Sequence, residues 1–310
     1  MAHWSSSIMT NTSETAVFFG SGPVAANSLR LLIKHTKIEA VVTKPRPAGY
    51  NGSVPVISTA EDLSLPIYYA DNKRTLDDLI ATKPFRSRIG VLVDFGIIVS
   101  QAVISYFPRG IVNSHFSLLP EWRGADPITF AVLSGQKQTG VSLMLLVAAM
   151  DEGPLLGQAL CRLSDTVTTP ELTDMLVQLS DDLLRRKLSA YLRGDIEAQP
   201  QDGTRAATYS RRLTKADGLM NWHKSAQQLE REVRAYLGWP KSIAKLANKD
   251  IVITKAAVCD EHGTPGSVIV RDKHIIVCCG DKSLDLVRLK PAGKREMTAE
   301  AFLAGNRQRL

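Results

Sequence analysis

The chain has 310 residues, 44% of them hydrophobic and 22% charged, values of a folded globular protein that exclude collagenous, low-complexity and intrinsically disordered classes. The net charge of +7 is unevenly spread: residues 1–200 carry 18 Lys+Arg against 19 Asp+Glu, and residues 201–310 carry 20 against 12. A basic last third on a neutral body points to a polyanion such as nucleic acid, because clustered cations gain by releasing counterions from phosphates. No apolar run reaches the ~20 residues of a membrane span, and the polar residues 1–14 read as a flexible leader without a signal peptide. Cys161, Cys259, Cys278 and Cys279 form no CxxC pair, so reduced core thiols in a cytoplasmic protein are expected.

In chain order, Ala16-Val17-Phe18-Phe19 reads as a buried strand running through Gly20-Ser21-Gly22-Pro23 into a helix that carries Leu29, Leu32 and Ile33. Further strands are predicted at 38–43, 89–93, 111–113 and 141–147. The alternation predicts a Rossmann-like α/β domain with a mostly parallel sheet and a ligand site at the strands' carboxyl ends. Thr169, followed by Pro170, is the expected N-cap of a long amphipathic helix with Leu172, Met175, Leu176, Leu179 and Leu183. Residues 194–208 have linker composition, and Ser225-x-x-Gln228 predicts a capping box before one more helix. From Ser242 the chain turns into short strands (251–253, 266–270, 274–278, 283–289), which fit a small OB-like β-barrel.

Two motifs carry little. Gly20-x-Gly22-x-x-Ala25 matches the dinucleotide fingerprint, but residues 40–60 hold no ribose-binding acid, so no NAD is expected. Asp94-Phe95-Gly96 matches a kinase magnesium triplet without any other kinase signature.

The chemistry lies in Asn113-Ser114-His115 at one strand end and Asp151-Glu152-Gly153 after the next strong strand. Neighbouring strand ends of a parallel sheet would bring Asn113, His115 and Asp151 to one crevice. An amide to hold an oxyanion, an imidazole to stabilise it or take the proton of an attacking amine, and a carboxylate to orient the imidazole suit acyl transfer. With no serine elbow or reactive cysteine nearby, direct transfer between two bound substrates is more natural than an acyl-enzyme. No HxH, HExxH or cysteine partner suggests a metal.

The run Asn113-x-His115-x-Ser117-Leu118-Leu119-Pro120-x-Trp122-Arg123-Gly124-Ala125, with Thr139-Gly140-Val141 and Met150-Asp151-x-Gly153, resembles the signature of methionyl-tRNA formyltransferases. Phe19-Gly20-x-Gly22-Pro23, Pro45-Arg46-Pro47-Ala48-Gly49, Asn221-Trp222 and Pro291-Ala292-Gly293-Lys294-Arg295-x-Met297 extend the resemblance nearly end to end. It implies a formyltransferase catalytic domain over 15–200, a linker over 201–208 and an OB-like tRNA-contacting domain over 209–310. It also implies transfer of a formyl group from 10-formyltetrahydrofolate to methionyl initiator tRNA in translation initiation, by a monomeric enzyme that needs neither metal nor NAD. By matching position, Asn113, His115 and Asp151 take the catalytic roles. Ser117, Leu118, Leu119 and Pro120, with Phe95 and Gly96, take folate binding, and Lys44, Arg46, Arg123, Arg211, Lys294 and Arg295 take tRNA contact.

The chain departs from the family pattern in four places. The loop after the second strand is shortened to Lys44-Pro45-Arg46, Glu121 stands where a basic residue is common, Asp126 where an alanine is common, and Asp94 where a small residue is usual. Glu121 and Asp126 would repel phosphate at short range, and the shortened loop would place the tRNA wedge differently. Three other readings compete. Sugar-nucleotide amine formyl transfer shares the Asn, His and Asp but needs no broad cationic surface. A decayed RNA-binding fold would not need the catalytic set, and an NAD(P) oxidoreductase lacks its ribose acid.

Overall fold

Apolar strands alternating with short helices build the first half of the chain. The computed structural model describes residues 15–309; the leader expected over 1–14 lies outside them. The elements are β1 (Thr15–Phe19), α1 (Pro23–Leu32), β2 (Lys37–Thr43), α2 (Pro55–Asp62), β3 (Ile67–Tyr69), α3 (Lys73–Ala81), β4 (Ile89–Leu92), α4 (Gln101–Tyr106) and β5 (Ile111–His115). There follow β6 (Arg123–Gly124), α5 (Pro127–Ser134), β7 (Gln138–Leu145), β8 (Leu155–Arg162), α6 (Thr169–Arg193), β9 (Tyr209–Ser210) and α7 (Ala226–Ala235). The remainder is β10 (Ser242–Leu246), β11 (Lys249–Cys259), β12 (Val268–Arg271), β13 (His274–Cys278), β14 (Ser283–Pro291), β15 (Met297–Thr298) and α8 (Ala299–Asn306).

A seven-stranded sheet runs in the order β3-β2-β1-β4-β5-β7-β8. Its first five strands are parallel. Because β1 has β2 on one side and β4 on the other, the strand order reverses there, which opens a crevice at the carboxyl ends of β1 and β4. Val17, Phe18 and Phe19 are fully buried, as a central parallel strand requires, and Phe19 meets Phe95 and Phe107 edge-to-face at 5.6 and 5.8 Å. Asn72 caps α3 and Ser100 caps α4 through side-chain oxygens that accept from the backbone N–H of the third helical residue, Thr75 and Val103.

One strand departs from the sequence expectation in direction. β7 pairs β5 antiparallel, with His115 opposite Ser142 and Val112 opposite Leu145. An apolar run specifies a strand but carries no information on its direction. The cap of α6 also moves by one residue: Thr168 and Glu171 form the reciprocal box, with Thr168 N–H and hydroxyl donating to Glu171 Oε2 at 2.9 and 2.8 Å.

By packing, the described chain divides into two units. One comprises residues up to His115 with Ser142–Ala159 and Val177–Gly203, and the other comprises Phe116–Val141, Leu160–Leu176 and Thr204 onward. In the second unit an antiparallel sheet runs β10-β11-β14-β13-β12, with β15 paired to β14. Leu229 and Val233 of α7 and Phe302 of α8 pack with Ile251, Ile253, Leu284, Leu286 and Leu289 of that sheet. Ser225 caps α7 at 3.2 Å, but the expected box is half made, because the Gln228 amide turns to Glu232. All four cysteines are free thiols, and burial, with Cys278 beside it, pushes Cys279 up to about 11.

Candidate active site

The strand period places Asn113 and His115 on one face of β5 and Ser114 on the other. The Ser114 hydroxyl meets the Ser180 hydroxyl of α6 at 2.7 Å, which fixes the strand from behind. Asn113 and His115 are 7% and 6% exposed, so the amide and the imidazole act in a largely dry environment. His115 Nδ1 lies 3.8 Å from Asp151 Oδ1, an ion-pair distance when the ring is protonated and too long for a direct hydrogen bond.

Asp151 reaches His115 by a different route from the one the sequence suggested. Because β7 is antiparallel, its last residue lies opposite Val112 at the start of β5, and the segment after it must run back toward His115. The returning turn is held by two devices. Gly153 packs its backbone against the Leu145 carbonyl, where a Cβ would collide. The Gln201 amide donates to the carbonyls of Asp151 at 2.7 Å and Gly153 at 3.0 Å. Gln201 was missed because its surroundings read as a linker, and no local signal marks it.

At the reversal of strand order, Ser21 N–H and Gly22 N–H donate to the Asp94 carbonyl at 3.0 and 3.4 Å. The Asp94 carboxylate occupies the space that a Cβ on Gly22 would need, at the N-terminus of α1. A pyrophosphate there would have to displace a like charge. Asp94 itself has φ +46°, a left-handed conformation that turns the chain at the end of β4. The Phe95 ring belongs to the core, so this turn offers backbone rather than an aromatic face. Its Gly96 carbonyl accepts from the Lys44 ammonium at 2.9 Å. Arg46 is exposed and closes its own loop by donating to the Gly52 carbonyl at 2.6 Å.

In the second unit, Ser117, Leu118 and Leu119 are buried, and the Ser117 hydroxyl donates to the Glu121 carbonyl at 2.5 Å. Pro120 closes this buried run, and its carbonyl accepts from Thr208 N–H at 3.2 Å. The two acids expected to repel phosphate are both engaged within the protein: Glu121 pairs with Arg205, and Asp126 Oδ2 accepts from Leu213 N–H at 3.0 Å. Arg123 lies on β6, and Arg211 is held bidentate by Asp217, whose carboxyl sits well below the usual range because of Arg211 and the Thr214 backbone. Lys294 and Arg295 are exposed on the turn between β14 and β15.

Among the described residues no helix is long and apolar enough to cross a membrane. The sequence profile described as "Formyl transferase" matches residues 16–188, and that described as "Formyl transferase, C-terminal domain" matches residues 212–307. The methionyl-tRNA formyltransferase of Chloroflexus aurantiacus is 38% identical over 298 residues, covering 93% of this chain and 96% of that protein. The methionyl-tRNA formyltransferase of Magnetococcus marinus is 32% identical over 303 residues, covering 95% and 96%. Among solved structures, the N-formyltransferase of Helicobacter canadensis, in complex with folinic acid and dTDP-3-aminofucose, superposes with a TM-score of 0.67 at 16% identity. That match covers 88% of this chain and 98% of the other and speaks to the fold alone. With both profiles matched in order and full-length relatives above 30% identity, this chain belongs to the formyl transferase family, in its methionyl-tRNA formyltransferase branch.

Proposed function

We propose that the protein transfers the formyl group of 10-formyltetrahydrofolate to the α-amino group of methionyl initiator tRNA, acting in the cytoplasm in translation initiation. The observation that carries the reading is the meeting of His115 with Asp151 at 3.8 Å in a nearly dry site, in a chain whose full-length relatives bear that activity in their names.

The reaction follows from the groups present. The free amine attacks the formyl carbon and forms a C–N bond, and the carbonyl oxygen takes up negative charge in a tetrahedral intermediate. The Asn113 amide N–H groups donate to that oxyanion, and the neutral His115 ring beside them accepts the proton that the attacking nitrogen gives up. Asp151, 3.8 Å from the ring, orients the imidazole. The proton lost by the attacking nitrogen ends on the departing folate nitrogen as the bond from formyl carbon to N10 breaks, with His115 positioned to carry it. Both substrates are bound at once, so no acyl-enzyme intervenes. Ser117 to Pro120 and the Phe95-Gly96 turn are assigned to the donor. Lys44, Arg46, Arg123, Arg211, Lys294 and Arg295 are assigned to tRNA; the excess of 20 basic over 12 acidic residues in 201–310 supports a polyanionic acceptor.

The test is a transfer assay with labelled 10-formyltetrahydrofolate, offering methionyl initiator tRNA and a dTDP-amino sugar side by side at two salt concentrations. Salt-sensitive labelling of the tRNA alone is expected. Labelling of the sugar nucleotide, or of neither, would overturn the assignment of the acceptor.

A further inference from the structure

We infer that residues 204–213 form a strap that sets the conformation of the 117–126 loop, with the Arg205–Glu121 ion pair as its latch, so that Arg205 is a positioning residue for formyl transfer. The inference rests on the reading of 117–120 as the donor loop.

Composition alone makes this segment a tether, yet its hydrogen bonds are those of a fitted element. Thr208 lies at the centre. Its N–H donates to the Pro120 carbonyl at 3.2 Å, its carbonyl accepts from Arg123 N–H at 2.9 Å, and its hydroxyl accepts from Trp122 N–H at 2.9 Å. The next two residues form a parallel ladder, Arg123 to Tyr209 and Gly124 to Ser210. The Ser210 hydroxyl donates back to the Arg123 carbonyl at 3.3 Å, and Leu213 N–H donates to Asp126 Oδ2 at 3.0 Å. Gly124, at φ +100°, is the point of closest approach: a Cβ there would run into the Ser210 carbonyl oxygen. Strap and loop are therefore shaped to each other over their whole shared length.

The latch reaches the donor loop through one residue. Glu121 N–H donates to the Leu118 carbonyl at 3.1 Å, and its carbonyl accepts from the Ser117 hydroxyl at 2.5 Å, so the backbone of Glu121 closes the turn that begins at Ser117. Its carboxylate is held by the Arg205 guanidinium. The pair is partly exposed, at 38% for the arginine and 34% for the glutamate, and such a pair contributes little to global stability. Its consequence is local: reversing either charge frees the start of the strap and loosens the turn that presents Ser117 to Pro120.

A charge-exchange cycle tests the inference on the full-length enzyme: E121K, R205E and the double variant, each assayed for donor KM and kcat at saturating methionyl-tRNA and for native-state chymotrypsin cleavage after the exposed Tyr209. Each single variant should raise donor KM about threefold to tenfold with kcat within about twofold, and should speed cleavage. The double variant, with the pair restored in reverse, should recover both. Unchanged donor KM in the single variants, or a double variant no better than the worse single one, would overturn the inference, as would faster cleavage with donor KM unmoved. Failure of the unaltered enzyme to transfer formyl would instead sink the functional reading, and the cleavage half of the cycle would still decide whether the latch holds the strap.

Discussion

The Lys44 ammonium donates to the Gly96 carbonyl at 2.9 Å, tying the end of β2 to the turn that follows β4. A side chain assigned by resemblance to tRNA is thus engaged with the turn assigned to the donor. Lys44→Met removes a charged donor at a partly exposed site, worth about 1 kcal/mol, so donor KM should rise about fivefold. The salt dependence of tRNA binding should stay as it is. A steady-state titration of each substrate separates the two outcomes, and a changed salt slope with constant donor KM would return Lys44 to the tRNA side.

His115→Ala and Asp151→Ala should each lower kcat by a factor on the order of a hundred or more, because the first removes oxyanion and proton-transfer chemistry and the second the group that orients it. His115 is the last residue of β5 and Asp151 lies in the turn between β7 and β8, both polar positions where truncation removes no apolar packing, so thermal unfolding should stay within a few degrees of the parent. Single-turnover rates with both substrates saturating make the measurement. A variant retaining the parent rate removes its residue from the mechanism.

Arg46→Ala combined with Lys294→Ala should raise KM for methionyl-tRNA and reduce the slope of log affinity against log salt by about 1.5, the loss expected for two phosphate contacts. kcat should be nearly unchanged. Filter binding across a salt series provides the slope, and a slope equal to that of the parent would exclude both residues from the phosphate contacts.

Glu39 joins β2 to the turn before β4: it accepts from Ser87 N–H at 2.7 Å, from the Ser87 hydroxyl at 2.5 Å and from Arg86 N–H at 2.9 Å. Burial pushes its carboxyl up, but these hydrogen bonds outweigh burial and leave it below the usual range. A depressed folded-state pKa contributes stability that is fully present above the unfolded value of about 4.3 and is lost as pH falls through the folded value. Glu39→Gln should therefore cost about 1 kcal/mol at pH 7, allowing for solvent screening of a half-buried group. The difference should shrink as pH falls below the unfolded value and through the lower folded one, as urea melts at pH 7 and along an acid series would reveal.

The placement of the candidate site was legible because the residues proposed for its chemistry sit where strands end. Apolar runs located β1, β4 and β5, and the residues just past such runs, Gly20-Ser21-Gly22 and Asn113-Ser114-His115, fall on the rim of any α/β sheet. The short apolar runs after Ser242 likewise gave the antiparallel C-terminal sheet. What stayed hidden depends on partners distant in sequence. Nothing local to Gln201 points to the turn at Asp151, and nothing local to Arg205 points to Glu121. The reversed β7 was hidden for another reason: hydrophobic pattern reports burial, and burial is the same in either direction.

The hydrogen bonds from Gln201 to the Asp151 and Gly153 carbonyls also bear on how the enzyme is made. Asn113, His115 and Asp151 leave the ribosome well before residue 201, and chains fold as their segments emerge. A nascent chain arrested between 151 and 201 would hold all three side chains and still lack the amide that shapes the turn carrying Asp151. On the proposed assignment, competence to transfer formyl therefore arrives late in synthesis, after Asp151 has been placed in the chain.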